Sequence, residues 1–463
     1  MNGRIRPLAL ALACTACILT AVGTAGAGSP SQATLVLDLN ECIRTALQAA
    51  PELGEAEADI RLTSSKLKEA QSYRYPQIEV LSLFGPAPSA RRSDIEPTVK
   101  TDIAFSVKNL TWFTSADLLV TQPLWTFGKI SENMKAATHG IEVDKAKKQQ
   151  KANEVTLEVK KYYYGVLLAR ELQNVLSELQ QYMRQGKEKI QQLIDNESPA
   201  GDEMDLFKID AYSGEINNYM EAALKGERLA LAALKARLGL NGTLDVTVAD
   251  TQLLMESRTI PDLTGSVEQA RLQRPEFKQL SEGLRARTAL VDAAKANYYP
   301  DLFLAGMLSW AYANDRDRIK NPYLSDRFQH TYGGVALGLK WHLDFGITGA
   351  KVAAEQAQLN RLESTKAYAD TFIPLQIQKA WLEMKEAEKV VESSFIAYRS
   401  AKKWGAAALA NFDFGIGNPR DIFDAVAVYG KMKAAHYQAI YDYNIAKANL
   451  EYAVGSLPPA AAP

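Results

Sequence analysis

Four histidines, His139, His330, His342 and His436, are the side chains best suited to proton transfer or metal binding near neutral pH. No two of them stand at the i, i+4 spacing that would put both imidazoles on one helical face toward a metal. None has a nucleophile and a third orienting group nearby in the pattern that acyl transfer needs. Gly415-Ile416-Gly417 lacks the later glycine of a dinucleotide fingerprint, and no phosphate-cradling loop occurs. Carboxylates are plentiful, but their spacing suits solvated helix faces and coiled-coil flanks. The expectation is a protein that is not an enzyme, with no cofactor and no metal.

The elements around these residues say more than the residues do. The chain has 463 residues, 47% of them apolar and 23% charged, with a formal net charge of -1. That is enough for two or three domains, and it offers no electrostatic attraction for nucleic acid. Residues 1–27 read as an export signal, with Arg4 and Arg6 before an apolar Leu8 to Val22 and a small-residue cleavage site at Ala25-Gly26-Ala27. Three positions upstream stand only Ala11 for Cys14 and Cys14 for Cys17, neither the large aliphatic residue that lipid attachment favours, so lipid attachment is the minor option. Only Cys42 then remains, and one thiol makes no internal bridge. No later apolar run is long enough for a membrane helix, so any membrane role must use strands.

The chain is a tandem duplication, which has to be recognised before any fold is assigned. Pro51-Glu52-Leu53 matches Pro275-Glu276-Phe277, and Tyr75-Pro76 matches Tyr299-Pro300 at the same offset. Phe127-Gly128 returns as Phe345-Gly346, and Asp205-Leu206-Phe207 as Asp421-Ile422-Phe423, at offsets that shorten slightly along the chain. That drift falls mostly in the strand regions, where loops tolerate a change of length. The expected division is a first repeat over 28–250, a second over 251–456 and a flexible tail over 457–463. Each repeat opens with a helix, dips into a strand pair (about 76–126 and 300–345) and returns through a long helical hairpin (129–240 and 347–455). Leu53, Ala56, Ile60, Thr63, Leu67 and Ala70 step 3-4-3-4-3, the coiled-coil period. Leu172, Leu176, Leu179, Met183, Gly186, Ile190 and Leu193 do the same in the hairpin. A helix from 129 to 195 would be roughly 100 Å long, far more than a globule of this size allows. Pro374 interrupts the second hairpin where the first has Thr156, predicting a break or bend.

Period-two alternation fills the strand regions. Val335, Leu337, Leu339, Trp341, Leu343 and Phe345 share one face, and Leu302, Leu304, Gly306, Leu308, Trp310 and Tyr312 share another. Gln77 to Phe84 and Ala116 to Trp125 alternate less cleanly, with a slip of phase. A sheet facing lipid must close, because an open edge leaves unpaired backbone groups in hydrocarbon. The smallest closed membrane barrels have about eight strands, so four per chain cannot close alone. Two, three or four copies would satisfy closure.

The tandem plan over essentially the whole mature chain resembles the TolC-like outer-membrane efflux protein family. The most specific local match runs from Phe412 to Gly417 through Asp421-Ile422-Phe423-Asp424-Ala425 to Tyr441, Ala446, Leu450 and Gly455. The opening Leu37-Asp38-Leu39, Ile43, Ala46-Leu47 and Pro51, and the Tyr-Pro pair before each strand region, fit as well. The resemblance implies a mainly α protein with transmembrane β: long coiled-coil hairpins forming an α-barrel, and four strands per chain pooled by a homotrimer into a twelve-stranded β-barrel. It implies a passive outer-membrane exit duct of a Gram-negative bacterium, with a long periplasmic extension. The duct would serve tripartite efflux or type I secretion, joined to an inner-membrane transporter through a periplasmic adaptor. It also implies a helical end that is closed at rest. Some members carry an acidic ring there, but Trp404, Gly405, Ala406 and Ala407 occupy that place in this chain.

Two groups of residues stand out as sites. The hairpin tips, Ser198, Pro199, Ala200, Gly201 and Asp202 in the first repeat and Gly415, Ile416, Gly417 and Asn418 in the second, are expected to dock the adaptor. Locally they turn the chain and restart a helix, with Asn418 as a cap and Pro419 at the first helical position. Trp310, Tyr312, Tyr323, Tyr332 and Trp341 are expected in an aromatic belt against outer-membrane lipid. The alternative is a periplasmic coiled-coil adaptor or scaffold protein, which would need one helical hairpin and a separate compact β domain.

Overall fold

The computed structural model describes residues 34–89, 110–198, 201–240, 245–256, 262–318, 323, 325–414 and 416–457. The expected leader over 1–27 and residues 458–463 of the expected tail lie outside the described residues.

The chain runs β1 (Thr34–Leu37), α1 (Leu39–Ala49), α2 (Pro51–Ser72), β2 (Gln77–Pro88), β3 (Leu110–Trp125), α3 (Lys129–Asp195) and α4 (Glu203–Arg237). It then repeats the order with β4 (Asp245–Val248), α5 (Leu263–Gln273), α6 (Pro275–Lys295), β5 (Asp301–Ala313), β6 (His330–Lys340), α7 (Ile347–Asp413) and α8 (Pro419–Val454). Each repeat thus opens with two helices, not one. The residue before a proline is pushed out of the helical region, and Ala50 and Arg274 are extended at ψ 117° and 123°. Pro51 and Pro275 then start the second helix, where their missing N–H costs nothing. Asp38 and Glu41 cap α1 reciprocally, the Glu41 amide donating to Asp38 at 2.7 Å. Burial, aided by those two carboxyls, pushes the thiol of the enclosed Cys42 up to about 12.

The helices α3 and α7 each span 67 residues, roughly 100 Å at ~1.5 Å per residue. Of the break or bend expected at Pro374, the break does not occur: α7 is helical from Ile347 through Asp413. Proline removes one hydrogen bond, but Ile373 and Ile377 beside it, with Ala380 and Met384 beyond, are buried in the main core and hold the turn in place. The return helices α4 and α8 stop at Gly239 and Gly455, whose φ values are 67° and 80°. A Cβ there would lie 2.7 Å from the Cβ of Ala49 or 2.8 Å from the Cα of Arg274. Each return helix therefore ends against the junction of the two opening helices of its repeat.

The core gathers where these junctions meet α3. It contains a buried set of charges: Lys160 reaches Glu451 at 2.9 Å, and Lys447 reaches Glu256 at 2.8 Å. Burial works against the Glu256 carboxylate, but Lys160, Lys447 and Tyr164 together hold its pKa below the ordinary value. The side chain of Asn444 also pins the segment after β4, accepting from the Glu256 amide at 3.0 Å and donating to the Leu254 carbonyl at 2.9 Å. Against this core lies a two-stranded parallel sheet of β1 and β4, which alternation over four residues is too short to announce.

The other sheet has the order β2-β3-β5-β6, antiparallel throughout, with β2 and β6 as its free edges. It passes into the long helices through two matching elbows. Phe127 and Gly128 have φ 49° and 99°, while Phe345 and Gly346 have φ 46° and 145°.

Candidate functional site

Side chains alternate across a strand, so the register assigns the two faces of the four-stranded sheet. One face carries Val80 opposite Leu118 and Leu118 opposite Leu308, with Leu304 opposite Leu337 and Leu302 opposite Leu339. Most of these are exposed although large and apolar. Trp310 and Tyr312 stand on this face toward one end, beside a stacked Phe84–Trp112 pair with ring centroids 5.2 Å apart. Trp341 lies just past β6 at the other end, donating its indole N–H to the Tyr298 carbonyl at 3.1 Å. The two remaining belt residues fall elsewhere. Tyr332 pairs with Ser309, which puts it on the opposite face, stacked on His330 at 4.8 Å. Tyr323 is exposed in the connection between β5 and β6.

The opposite face is the more polar of the two, with Glu79, Asp117, Ser309, His330 and Lys340 among its side chains, although Leu119, Phe303 and Met307 share it. Leu81 and Leu83 also fall here, which explains the weaker alternation in the first repeat. Beyond the strand ends the β5–β6 connection folds over this face. Arg316 pairs with Asp326 at 2.6 Å and sits 5.1 Å from the Phe328 ring, which meets Phe113 edge-on at 5.0 Å. Below it, Ser309 joins Asp117 on one side and His330 on the other, the latter at 2.7 Å. Sequence reasoning missed this clamp. The available signal was Asp117 and Ser309 themselves, hydrogen-bonding side chains on the face opposite Leu118 and Leu308.

At its helical end the polar face opens into a trough of about 1630 Å³ lined by α2, α3, α6 and α7 together with Leu119, Thr121, Ala305 and Lys340 of the strands. The helices follow one another as α2, α3, α6, α7 along this wall, so trough and polar face form one continuous concave surface. Lys129 and Asp301 are paired at 2.8 Å where strands meet helices.

The far end of the wall carries the hairpin tips. Asp202 and Asn418 cap the return helices by accepting from the amides of Met204 and Arg420, each at 2.9 Å. Gly201 and Gly417 are the tight points. A Cβ on either would lie 2.8 Å from a backbone nitrogen, of Ile194 or Phe412. Arg420 reaches across to Asp202 at 3.2 Å, and Lys208 to Asp424 at 3.2 Å, so the two tips are tied together. Phe414 and Ile416 protrude, 82% and 80% exposed. Ser198 ends the first turn, its amide donating to the Leu193 carbonyl at 2.9 Å. Pro199, Ala200 and Gly415 lie outside the described residues. Asp413, the acid nearest the missing ring, is paired with Lys189. Above the tips Glu178 joins α3 to α8. Burial pushes its carboxyl up, but Lys433, Tyr429 and Tyr182 outweigh this and hold it below the ordinary value.

Among the described residues no helix is long and apolar enough to cross a membrane, and no three potential ligands are grouped for a metal. What this wall offers is a sheet with one exposed apolar face and one face that carries its charged side chains, ending on open strand edges. That is the plan of a channel subunit. The family comparison agrees. The model of the outer membrane efflux protein family matches residues 42–195 and 266–456, and the chain belongs to that family. It is an outer-membrane exit duct, a passive channel and not an enzyme. No curated protein sequence matches it. Among solved structures it is similar to the outer-membrane channel OprN, with 16% identity, a TM-score of 0.75 and 90% of each chain covered. It is similar to CusC, with 15% identity and a TM-score of 0.74, covering 91% of this chain and 93% of that one. The Campylobacter jejuni outer membrane channel CmeC follows at 15% identity and a TM-score of 0.71, with 96% of each chain covered.

Proposed function

We propose that three copies of this chain close a single barrel in the outer membrane of a Gram-negative bacterium and continue as one helical tunnel into the periplasm. Three copies of a four-stranded sheet give twelve strands, above the minimum of about eight that a closed membrane barrel needs. The observation that carries this reading is the pairing of an exposed apolar sheet face with a polar face continuous with the helical trough. Lipid would meet the first and transported material the second. Trp310, Tyr312 and Trp341 then sit at the two lipid interfaces. Family membership supports the trimer and the tripartite setting.

The work of transport comes from partners, a periplasmic adaptor and an inner-membrane transporter. The adaptor docks on the hairpin tips, where Phe414 and Ile416 offer exposed apolar side chains beside a rigid turn. The adaptor alternative for this chain itself falls with the family assignment and with its two full repeats on one sheet.

Native mass spectrometry in detergent, with conductance in planar bilayers, tests the assembly. A stable monomer with full β content would sink it. For the tips, Phe414→Ser with Ile416→Ser should reduce export while trimers persist. Unchanged export would remove the docking role.

A further inference from the structure

We propose that Phe345 of one copy stacks its ring on Tyr75 of the next, where strands give way to helices. This rests on the closure of one barrel by several copies, and it states which atoms of the two free edges meet.

The argument comes from the duplication. In the first repeat β3 turns into α3 through Phe127 and Gly128, and in the second β6 turns into α7 through Phe345 and Gly346. An aromatic residue at positive φ is an outlier for an L-amino acid. Such a conformation costs free energy and persists only where the surroundings over-determine it. For Phe127 those surroundings are visible. Its ring stacks on Tyr299 at 5.2 Å and 15°, and meets Trp125 edge-on at 6.1 Å. Tyr299 stands just before β5, and β3 pairs with β5, so the elbow of one repeat rests on the strand entrance of the other.

Phe345 holds the same conformation without that support. The counterpart of β3 is β6 and the counterpart of β5 is β2, and these are the two free edges of the sheet. The counterpart of Tyr299 is Tyr75, since Tyr75-Pro76 opens the strand region of the first repeat as Tyr299-Pro300 opens that of the second. Within one chain the two rings stand at opposite edges, Phe345 fully exposed at 101% and Tyr75 at 68%. Setting β6 of one copy beside β2 of the next, as β3 sits beside β5, brings Phe345 onto the neighbour's Tyr75.

The helices give an independent sign of the same displacement. Gly430 of α8 packs on α3 so closely that a Cβ would lie 2.4 Å from Leu179. Its counterpart in the first repeat, Gly214 of α4, has nothing within 4 Å of the same position. The operation that seats Phe345 also lays α7 of one copy along α4 of the next, filling that space. The contact is head-to-tail, joining different surfaces, and so builds a ring, not a two-fold pair.

The test uses the full-length protein with Tyr75→Cys and Phe345→Cys combined, treated with a short bismaleimide and run in denaturing gels. Cys42 is buried and common to every variant. The expected result is a ladder of covalent dimers and trimers with both cysteines and none with either alone. Phe127→Cys with Tyr299→Cys should link within the chain and give no ladder. Oligomers seen by native mass spectrometry without a ladder would overturn the contact while leaving barrel closure standing. Monomers only would overturn both. As a second measurement, Phe345→Ala and Tyr75→Ala should each lower the temperature at which the assembly dissociates, and the double variant should fall short of their sum. Full additivity would show that the two rings do not touch.

Discussion

The helices α3 and α7 are counterparts of equal length, yet α3 buries eighteen residues and α7 eight. Their positions explain this. Helices α2, α4, α6 and α8 all pack on α3, while α7 meets α5, α6 and α8 and leaves one flank bare. That flank is not polar. Leu375, Leu382 and Ile396, whose spacing by whole heptads puts them on one face, are exposed on α7. A helix with apolar residues outside its stripe is completed by something beyond its own chain. The difference teaches that the second repeat carries the same kind of contact surface as the first, left uncovered within the chain and available to a neighbouring copy in the proposed assembly.

The largest effects should come where the repeats are most alike. Gly239→Ala and Gly455→Ala each combine a left-handed backbone with a collision, and each should cost about 2–4 kcal/mol. Thermal unfolding of the two variants should give similar losses. A loss at one glycine alone would break the equivalence.

Next in size, Gly430→Val should cost about 1–3 kcal/mol by overpacking Leu179 inside the chain. Gly214→Val should leave the helical content of the chain unchanged and lower the dissociation temperature of the assembly. Equal behaviour of both variants in dispersed single chains would count against an empty space at Gly214.

A third comparison sets ionic against apolar joints. Glu178 accepts from Tyr429 at 3.0 Å and from Lys433, and its counterpart in the second repeat is the exposed Ile396. Because the folded carboxyl titrates below its ordinary value, its contribution is complete above that value and is lost as pH falls through the lowered one. Acid should therefore loosen α3 from α8 within the chain before it touches the apolar flank of α7. Hydrogen exchange across that range should show the order. Glu178→Ala should cost about 1–2 kcal/mol at neutral pH and abolish the acid dependence of this joint.

The smallest effect is a gain. Pro374→Thr installs the first repeat's residue and restores one helical amide, worth about 0.5–1 kcal/mol in thermal unfolding. A loss would mean that the proline has a packing role which Thr156 lacks.

Long-period features are legible because each is stated many times over. The heptad spacing of Leu172 to Leu193 and the alternation of Leu302 to Tyr312 recur over several turns or residues, so a local exception does not hide them. The misses depend on partners that sequence order does not display. Tyr332 reads as a belt residue until the register with Ser309 puts it on the polar face. Pro374 reads as a break until the packing of Ile373 and Ile377 is seen. At the tips, composition points to a turn, but not to glycines pressed on the preceding helix or to Arg420 bridging two hairpins.

The small parallel sheet has a consequence for how the molecule matures. Thr34 pairs with Asp245 and Leu37 with Val248, so the earliest strand waits for the one that opens the second run of elements. Loop length adds little to the equilibrium cost of such a clasp, but it does delay its fastening. Until Val248 has been delivered, β1 has no strand to pair with. The clasp then ties the openings of the two repeats together, over a core that also takes Asn444 and Glu451 from α8.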